Sequence, residues 1–294
     1  MRIGFIGLGR MGAPMCQHLI DAGHDLRGYD VDHLHAKQAI GARAVGSPRD
    51  LLNWADVIIT MLPSGAALGK TLTGAHGLLT GSDGGFALVD MGTTSPTIAE
   101  TIANEVTVRG GEYLEAPVSG GTAGAQAATL TIIAAGERLL FDRVRPVLEV
   151  LGNRVFFVGA AGCGQTLKLA NNLLLAVNVV AVGEAWSLVR ASGMDRETAH
   201  EVLTMCSGDS RALRTRVPDP DVLPDGPAAR SFEPGFRVEL MLKDIALAEE
   251  LARHLGVQTP TLLAARDTYQ RAVDSGCGEL DIAIVADLIG GPRA

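Results

Sequence analysis

The chain has 294 residues, 47% of them hydrophobic and 20% charged, with a formal net charge of −8. At roughly 100–200 residues per domain this length predicts two domains, and the apolar content supports a large core, which excludes a disordered chain. The acidic balance argues against a general nucleic-acid or anionic-membrane surface, while leaving room for a local pocket that binds a small anion.

The first half alternates short β-rich runs with helical stretches. Strands are expected at 2–8, 25–30, 56–62, 86–92, 112–118, 129–136 and 154–159, with helices between them, for example at 11–22, 96–109 and 137–151. Most of the strands are near-continuous Val/Ile/Leu runs, as in strands covered on both faces. The alternation predicts βαβ units, and hence an α/β domain built on a doubly wound, mainly parallel sheet.

From Cys163 the pattern changes to helices at 163–192, 195–206, 236–255, 260–275 and 279–289, with no convincing strand. Gly193 reads as the end signal of the first and Asp195 as the cap of the second. The Pro-, Gly- and Asp-rich stretch "VPDPDVLPDGPAARSFEPGF" reads as a loop. The expected organisation is an α/β domain over 1–162 and an all-helical domain over 163–294. The run after Asn172 is apolar on every face, so its helix is expected to be the most buried in the chain. It contains Asn178 and Glu184 and is not read as a membrane span.

Cys16, Cys163, Cys206 and Cys277 form no CxxC pair, which fits small core residues in a reducing compartment. "MRIGFIGLG" shows no signal-peptide pattern, so a cytoplasmic protein is expected. The seven histidines have no HExxH-type spacing, and no catalytic metal is expected.

Four stretches bear on chemistry. Gly7, Gly9 and Gly12, with Arg10 and Met11 between the last two, form GxGxxG between a strand and a helix, and Asp30 ends the next strand. In a dinucleotide site these glycines give a tight turn, close backbone approach to a pyrophosphate and close helix packing. The acid binds the ribose hydroxyls of NAD and repels the 2′-phosphate of NADP. His33, His35 and Lys37 lie just beyond and offer groups that meet a phosphate. Next, Ser119, Gly120 and Gly121 follow a strand and read either as hydroxyl and amide donors for a carboxylate or as a glycine-rich turn. Finally, Lys168 and Asn172 share a helix face. A lysine drawn toward neutrality by burial and a positive nicotinamide ring can take the proton of an alcohol; the alternative is a snorkelling lysine at a helix start beside a capping Asn. In "LMLKDIALAEEL", Lys243 reads as part of a solvated Lys–Asp pair or as a group reaching the same cleft.

Together "GFIGLGRMGAPM", "EAPVSGG", "GCGQTLKLANN" and "LMLKDIALA", in this order along the chain, resemble the β-hydroxyacid dehydrogenase family, which includes 3-hydroxyisobutyrate dehydrogenase, tartronate semialdehyde reductase and 6-phosphogluconate dehydrogenase. The resemblance implies a Rossmann domain, a long connecting helix and a helical domain that forms homodimers or homotetramers. It makes Lys168 the catalytic acid/base with Asn172 as partner, and Ser119, Gly120 and Gly121 the holders of a small carboxylate substrate. Leu62, Pro63, Thr93 and Lys243 become cofactor contacts. The implied reaction is oxidation of a 3-hydroxy acid to its semialdehyde with NAD, 3-hydroxyisobutyrate leading. The alternatives are an NADPH-using reductase of tartronate semialdehyde or a related aldehyde acid, and a non-catalytic dinucleotide-binding module. Three residues depart from the 3-hydroxyisobutyrate pattern: Gly92 in place of a serine, Ala67 in place of an asparagine and Arg211 in place of a tryptophan. A cation at Arg211 favours a more anionic substrate.

Overall fold

A computed structural model describes residues 1–80 and 84–289. The chain divides into two compact units, Met1–Lys168 and Leu169–Ala294. The division falls inside a helix, not ahead of it.

The first unit runs β1 (Arg2–Ile6), α1 (Gly12–Asp21), β2 (Asp25–Tyr29), α2 (His33–Ile40), α3 (Arg49–Leu52), β3 (Val57–Thr60), α4 (Gly65–Thr73), β4 (Ala87–Asp90) and α5 (Pro96–Val108). It continues with β5 (Glu112–Glu115), β6 (Val118–Ser119), α6 (Gly121–Gln126), β7 (Thr131–Gly136), α7 (Arg138–Leu151) and β8 (Arg154–Phe157). The strand order is β2-β1-β3-β4-β5-β7-β6, with β8 on β7. β2, β1, β3, β4 and β5 are parallel neighbours, and β7 runs antiparallel to β5 and β6. The expected α/β fold with a mainly parallel sheet is present. β3 and β4 are buried along their whole length, whereas β8 alternates and leaves Phe156 53% exposed, so coverage on both faces holds for the central strands alone.

After β1 the chain crosses to β2 on one side and to β3 on the other. The carboxyl ends of β1 and β3 are therefore the point where the winding reverses, the place where open α/β sheets bind ligands. The turn after β1 occupies it. Gly7 has φ +95° and its Cβ would lie 2.3 Å from the Met61 carbonyl oxygen, just past β3; a Cβ on Gly12 would lie 1.8 Å from Gly7 O. Both positions exclude any side chain.

Four short helices, α2, α3, α4 and α6, also lie between the strands. α2 is capped by the Asp32 side chain, which accepts from Leu34 and His35 N–H, and α4 by Ser64, which accepts from Ala67 N–H.

The second unit holds most of α8 (Cys163–Ser192), then α9 (Arg196–Met205), α10 (Arg211–Arg216), α11 (Val238–Leu255), α12 (Pro260–Asp274) and α13 (Ala283–Ile289). Asp195 caps α9 by accepting from Thr198 N–H, and Gly193 follows α8 at φ +71°. α13 starts later than the pattern indicates, where Asp281 accepts from Ala283 N–H. A short 3-10 turn, Pro227–Arg230, interrupts the expected loop. The core gathers Val179, Val182 and Trp186 of α8 with Met241, Ile245 and Tyr269.

Two expectations need correction. α8 is not buried on all faces: Leu167, Leu174 and Leu188 are 50%, 61% and 75% exposed in the single chain. Its buried residues form one stripe, so its composition overstates its burial. Of the cysteines only Cys16 is a core residue; Cys163 and Cys206 are exposed. By length and composition α8 is also long and apolar enough to cross a membrane, a property that core helices of soluble proteins share.

Gly12→Ala should force α1 away from the β1 turn. The expected loss is about 2 kcal/mol of unfolding free energy, the usual size of overpacking a tight site, read as a lowered midpoint in chemical denaturation.

Candidate active site

The β1 turn is held by the segment that follows β2. Leu8 N–H donates to Asp30 Oδ2 at 2.7 Å, and Asp32 N–H donates to Asp30 Oδ1 at 3.0 Å. His35 Nε2 lies 2.7 Å from Leu8 O; a carbonyl only accepts, so this nitrogen carries the proton. The Leu8 peptide is thus gripped at both ends. His35 is engaged with the turn itself, and His33 packs edge-on against Tyr29 at 5.6 Å between centroids. Arg10 is exposed and Met11 half-buried.

The turn fits a dinucleotide. A Cβ at Gly9 would meet nothing within 4 Å, so the backbone there is open to a pyrophosphate, and the start of α1 supplies helix-terminal amides. Asp30 has accepted one hydrogen bond on each oxygen, and a carboxylate has about four acceptor positions. Two remain for ribose hydroxyls.

At the ends of the neighbouring strands, Leu62 and Thr93 line one narrow recess with Ser64, Asp90, Gly92 and Thr94. Pro63 follows Leu62 and is exposed. A side chain at Gly92 would meet Leu62 O at 2.9 Å, which explains why no serine is accommodated there. Ala67 lies in the first turn of α4 and gives its N–H to Ser64.

Beside this recess lie two buried carboxyls. Asp90 accepts from Thr60 Oγ1 at 2.7 Å and from Gly92 N–H at 3.2 Å. Its register partner on β5 is Glu115, which is fully buried. Glu115 Oε1 accepts from the N–H groups of Gly162 (2.9 Å), Gly164 (2.7 Å) and Gln165 (3.3 Å). These are amides that a helix start leaves unpaired. Burial pushes the Glu115 carboxyl up to about 7; the three amides oppose the shift and the Asp90 charge adds to it.

One residue on, the buried Gln165 side chain accepts from Thr94 N–H through Oε1 at 3.1 Å and donates from Nε2 to Gly92 O at 3.1 Å. The first turn of α8 is therefore fastened to the ends of β4 and β5. Lys168, 7% exposed, follows within the same turn. It is not the snorkelling lysine of the bland reading.

Ser119 sits on β6 opposite Thr131. Gly120 has φ +141°, and Gly121 opens the short helix α6. The stretch is thus a strand-to-helix junction and not a surface turn.

In the second unit, Asn172 is buried and donates from Nδ2 to Asp244 Oδ2 at 2.5 Å, while its Oδ1 accepts from Asn171 Nδ2 at 2.9 Å. It caps nothing. Lys243 Nζ lies 2.9 Å from Asp244 Oδ1, in ion-pair range without hydrogen-bond alignment. The Lys–Asp pair is not a solvated one, since the Asp244 side chain is 3% exposed. Arg211 is exposed at the start of α10. Pattern reading missed Asp244, Glu115 and Gln165. Each stands inside a quoted motif, and the available signal was a polar side chain within an apolar run.

The glycine turn with its acid, at the winding reversal of a parallel sheet, together with a buried lysine on a helix pinned beside it, defines a nicotinamide-dinucleotide-dependent oxidoreductase. Residues 2–159 match the model of the NAD binding domain of 6-phosphogluconate dehydrogenase, and residues 162–289 that described as NAD-binding of NADP-dependent 3-hydroxyisobutyrate dehydrogenase. An NAD-dependent L-serine dehydrogenase of Pseudomonas aeruginosa is 37% identical, covering 98% of this chain and 97% of its own. The mitochondrial 3-hydroxyisobutyrate dehydrogenase of Drosophila melanogaster is 35% identical over 98% of this chain and 89% of its own. The solved 3-hydroxyisobutyrate dehydrogenase of Mycobacterium tuberculosis with L-serine superposes with a TM-score of 0.89 at 36% identity, covering 100% of this chain and 99% of that one. The chain belongs to the β-hydroxyacid dehydrogenase family, oxidoreductases that act on a CH–OH group with NAD.

Glu115 makes stability fall with rising pH. Its folded value lies above the ordinary 4.5, so between 4.5 and about 7 the unfolded chain releases a proton that the folded chain keeps. Glu115→Gln should flatten this slope. Relative to the variant, the native protein should lose about 2 kcal/mol of unfolding free energy between about pH 5 and about pH 8, measured by urea denaturation at both.

Proposed function

We propose that the chain oxidises a short 3-hydroxy acid, HO–CH2–CH(X)–COO⁻, to its semialdehyde, with 3-hydroxyisobutyrate as the first candidate. The observation that carries this reading is the buried Lys168 amine, on a turn tied to the loop that holds Thr93. The two substrates named among the relatives, 3-hydroxyisobutyrate and L-serine, share this skeleton and differ only in X, methyl or ammonium.

Bound NAD supplies the hydride acceptor. Gly7, Gly9, Gly12, Arg10 and Met11 hold its pyrophosphate, Asp30 its ribose, and Leu62, Pro63 and Thr93 its nicotinamide side. Lys168 takes the hydroxyl proton as the carbonyl forms. Asn172, whose amide donates to Asp244, is its partner at the alcohol oxygen. Ser119 and the Gly120 and Gly121 amides hold the carboxylate. The Asp30 charge favours NAD over NADP, because a 2′-phosphate brought beside a carboxylate is repelled.

Arg211 bears on X. A cation near the substituent disfavours the ammonium of serine and leaves a neutral or anionic X. We further propose a homo-oligomer, supported by the exposed Leu167, Leu174 and Leu188 on α8.

Lys168→Ala should lower kcat by about 10²–10⁴-fold with the Kd of NAD unchanged, measured by steady-state kinetics and NAD titration. Full activity in this variant would defeat the assignment. In a panel of 3-hydroxyisobutyrate, L-serine, glycerate, 3-hydroxypropionate and 4-hydroxybutyrate, kcat/KM should be highest for a 3-hydroxy acid with neutral or anionic X, and higher with NAD than with NADP. A preference for serine would remove Arg211 from the site.

A further inference from the structure

We propose that Gln165 is a positioning residue for catalysis: its carboxamide locks the helix that carries Lys168 to the Gly92–Thr94 loop, so that the proton-accepting amine and the loop bearing Thr93 keep one fixed relation. The inference rests on the reading of Lys168 as proton acceptor.

The geometry that assigns this role is specific. The carboxamide makes two hydrogen bonds of opposite sense to backbone groups on either side of Thr93, accepting from Thr94 N–H and donating to Gly92 O, both at 3.1 Å. Two antiparallel bonds fix both the distance and the rotation of the loop against the helix, which one bond does not. Gln165 has no exposure to solvent, so water does not replace either bond when it is lost. Three residues separate Gln165 from Lys168, about 4.5 Å along a helix axis, less than one turn and too short for the helix to bend between them.

The anchor itself is held from behind. Glu115 Oε1 accepts from the N–H of Gly164 at 2.7 Å and of Gln165 at 3.3 Å, so the backbone that carries the carboxamide is fixed to β5. Lys168 acts on a reacting oxygen, whereas Gln165 acts through Lys168 and the loop. A misplacement of about 1 Å from a change outside the reacting atoms can cost about 10²-fold in rate.

Two variants test this. Gln165→Met keeps the shape and removes both bonds. Gln165→Glu keeps both only while its carboxyl is protonated, since the O–H then donates to Gly92 O and the carbonyl accepts from Thr94 N–H. Once ionised, it has no donor for Gly92 O. Each variant is measured for kcat, KM for the acid, Kd for NADH by fluorescence titration, the pH profile of kcat and the thermal midpoint. Gln165→Met should lose about tenfold or more in kcat, displace the pH midpoint of kcat and weaken NADH binding several-fold, while remaining folded at the assay temperature. Gln165→Glu should be more active than Gln165→Met at low pH and lose that advantage as pH rises.

A folded Gln165→Met with native kcat and native pH midpoint overturns the proposal. So does failure of both variants to fold, which assigns Gln165 to stability alone. Lys168→Ala separates the two readings. If it is inactive while Gln165→Met is native, positioning fails and the proton acceptor stands; if it retains activity, the proton-acceptor reading fails first.

Discussion

A 30-residue helix that starts inside a protein brings several amide N–H groups with no partner of their own. The structure depends on how this one is met. Glu115, at the carboxyl end of β5, offers one carboxylate oxygen to three of them. Burying a carboxyl is costly, and its upward shift toward 7 records that cost. The return is a fixed origin for α8. The first turn of the helix, through Lys168, inherits its position from that contact with the sheet. This also explains why the division between the two units falls after Lys168 and not before the helix: the first turn of α8 belongs, by its hydrogen bonds, to the sheet.

The same economy governs the other end of the sheet. Leu8 is held through its N–H by Asp30 and through its carbonyl by His35, so the glycine turn and the segment after β2 are tied together. At both places polar side chains satisfy backbone groups at the carboxyl ends of parallel strands, where the winding leaves room for a ligand. His35 shows how this alters a reading from composition. As a charge near Asp30 it suggested a phosphate contact; as a donor to Leu8 O it is part of the scaffold.

In the helical unit, Asp244 does comparable work. It takes the Asn172 amide on one oxygen and stands beside the Lys243 ammonium on the other. Two residues assigned chemistry by resemblance are thus oriented by a third that pattern reading passed over. The relatives converge on a common skeleton of substrate, and what distinguishes them is the group on one carbon.

Much was legible in the residues. Runs of branched aliphatics marked the central strands, because a strand buried on both faces has no other composition open to it. Gly7, Gly9 and Gly12 marked the turn, since two of the three have no room for a Cβ and the third leaves open backbone. α2, α4 and α6 left a weaker trace, because they are short and each buries only two residues; Asp32 and Ser64 cap the first two. The burial of α8 was misjudged for the opposite reason: leucines such as Leu174 and Leu188 match those of its buried face, and only the packed structure shows which stripe is covered. The sequence by itself determined the order of strands and helices, the glycine turn after β1 and the family, because these follow from local pattern and spacing. Only the tertiary structure decided the partners of Glu115, Gln165 and Asp244. They lie 47, 73 and 72 residues away along the chain, and a hydrogen bond made at such separation leaves no periodic trace.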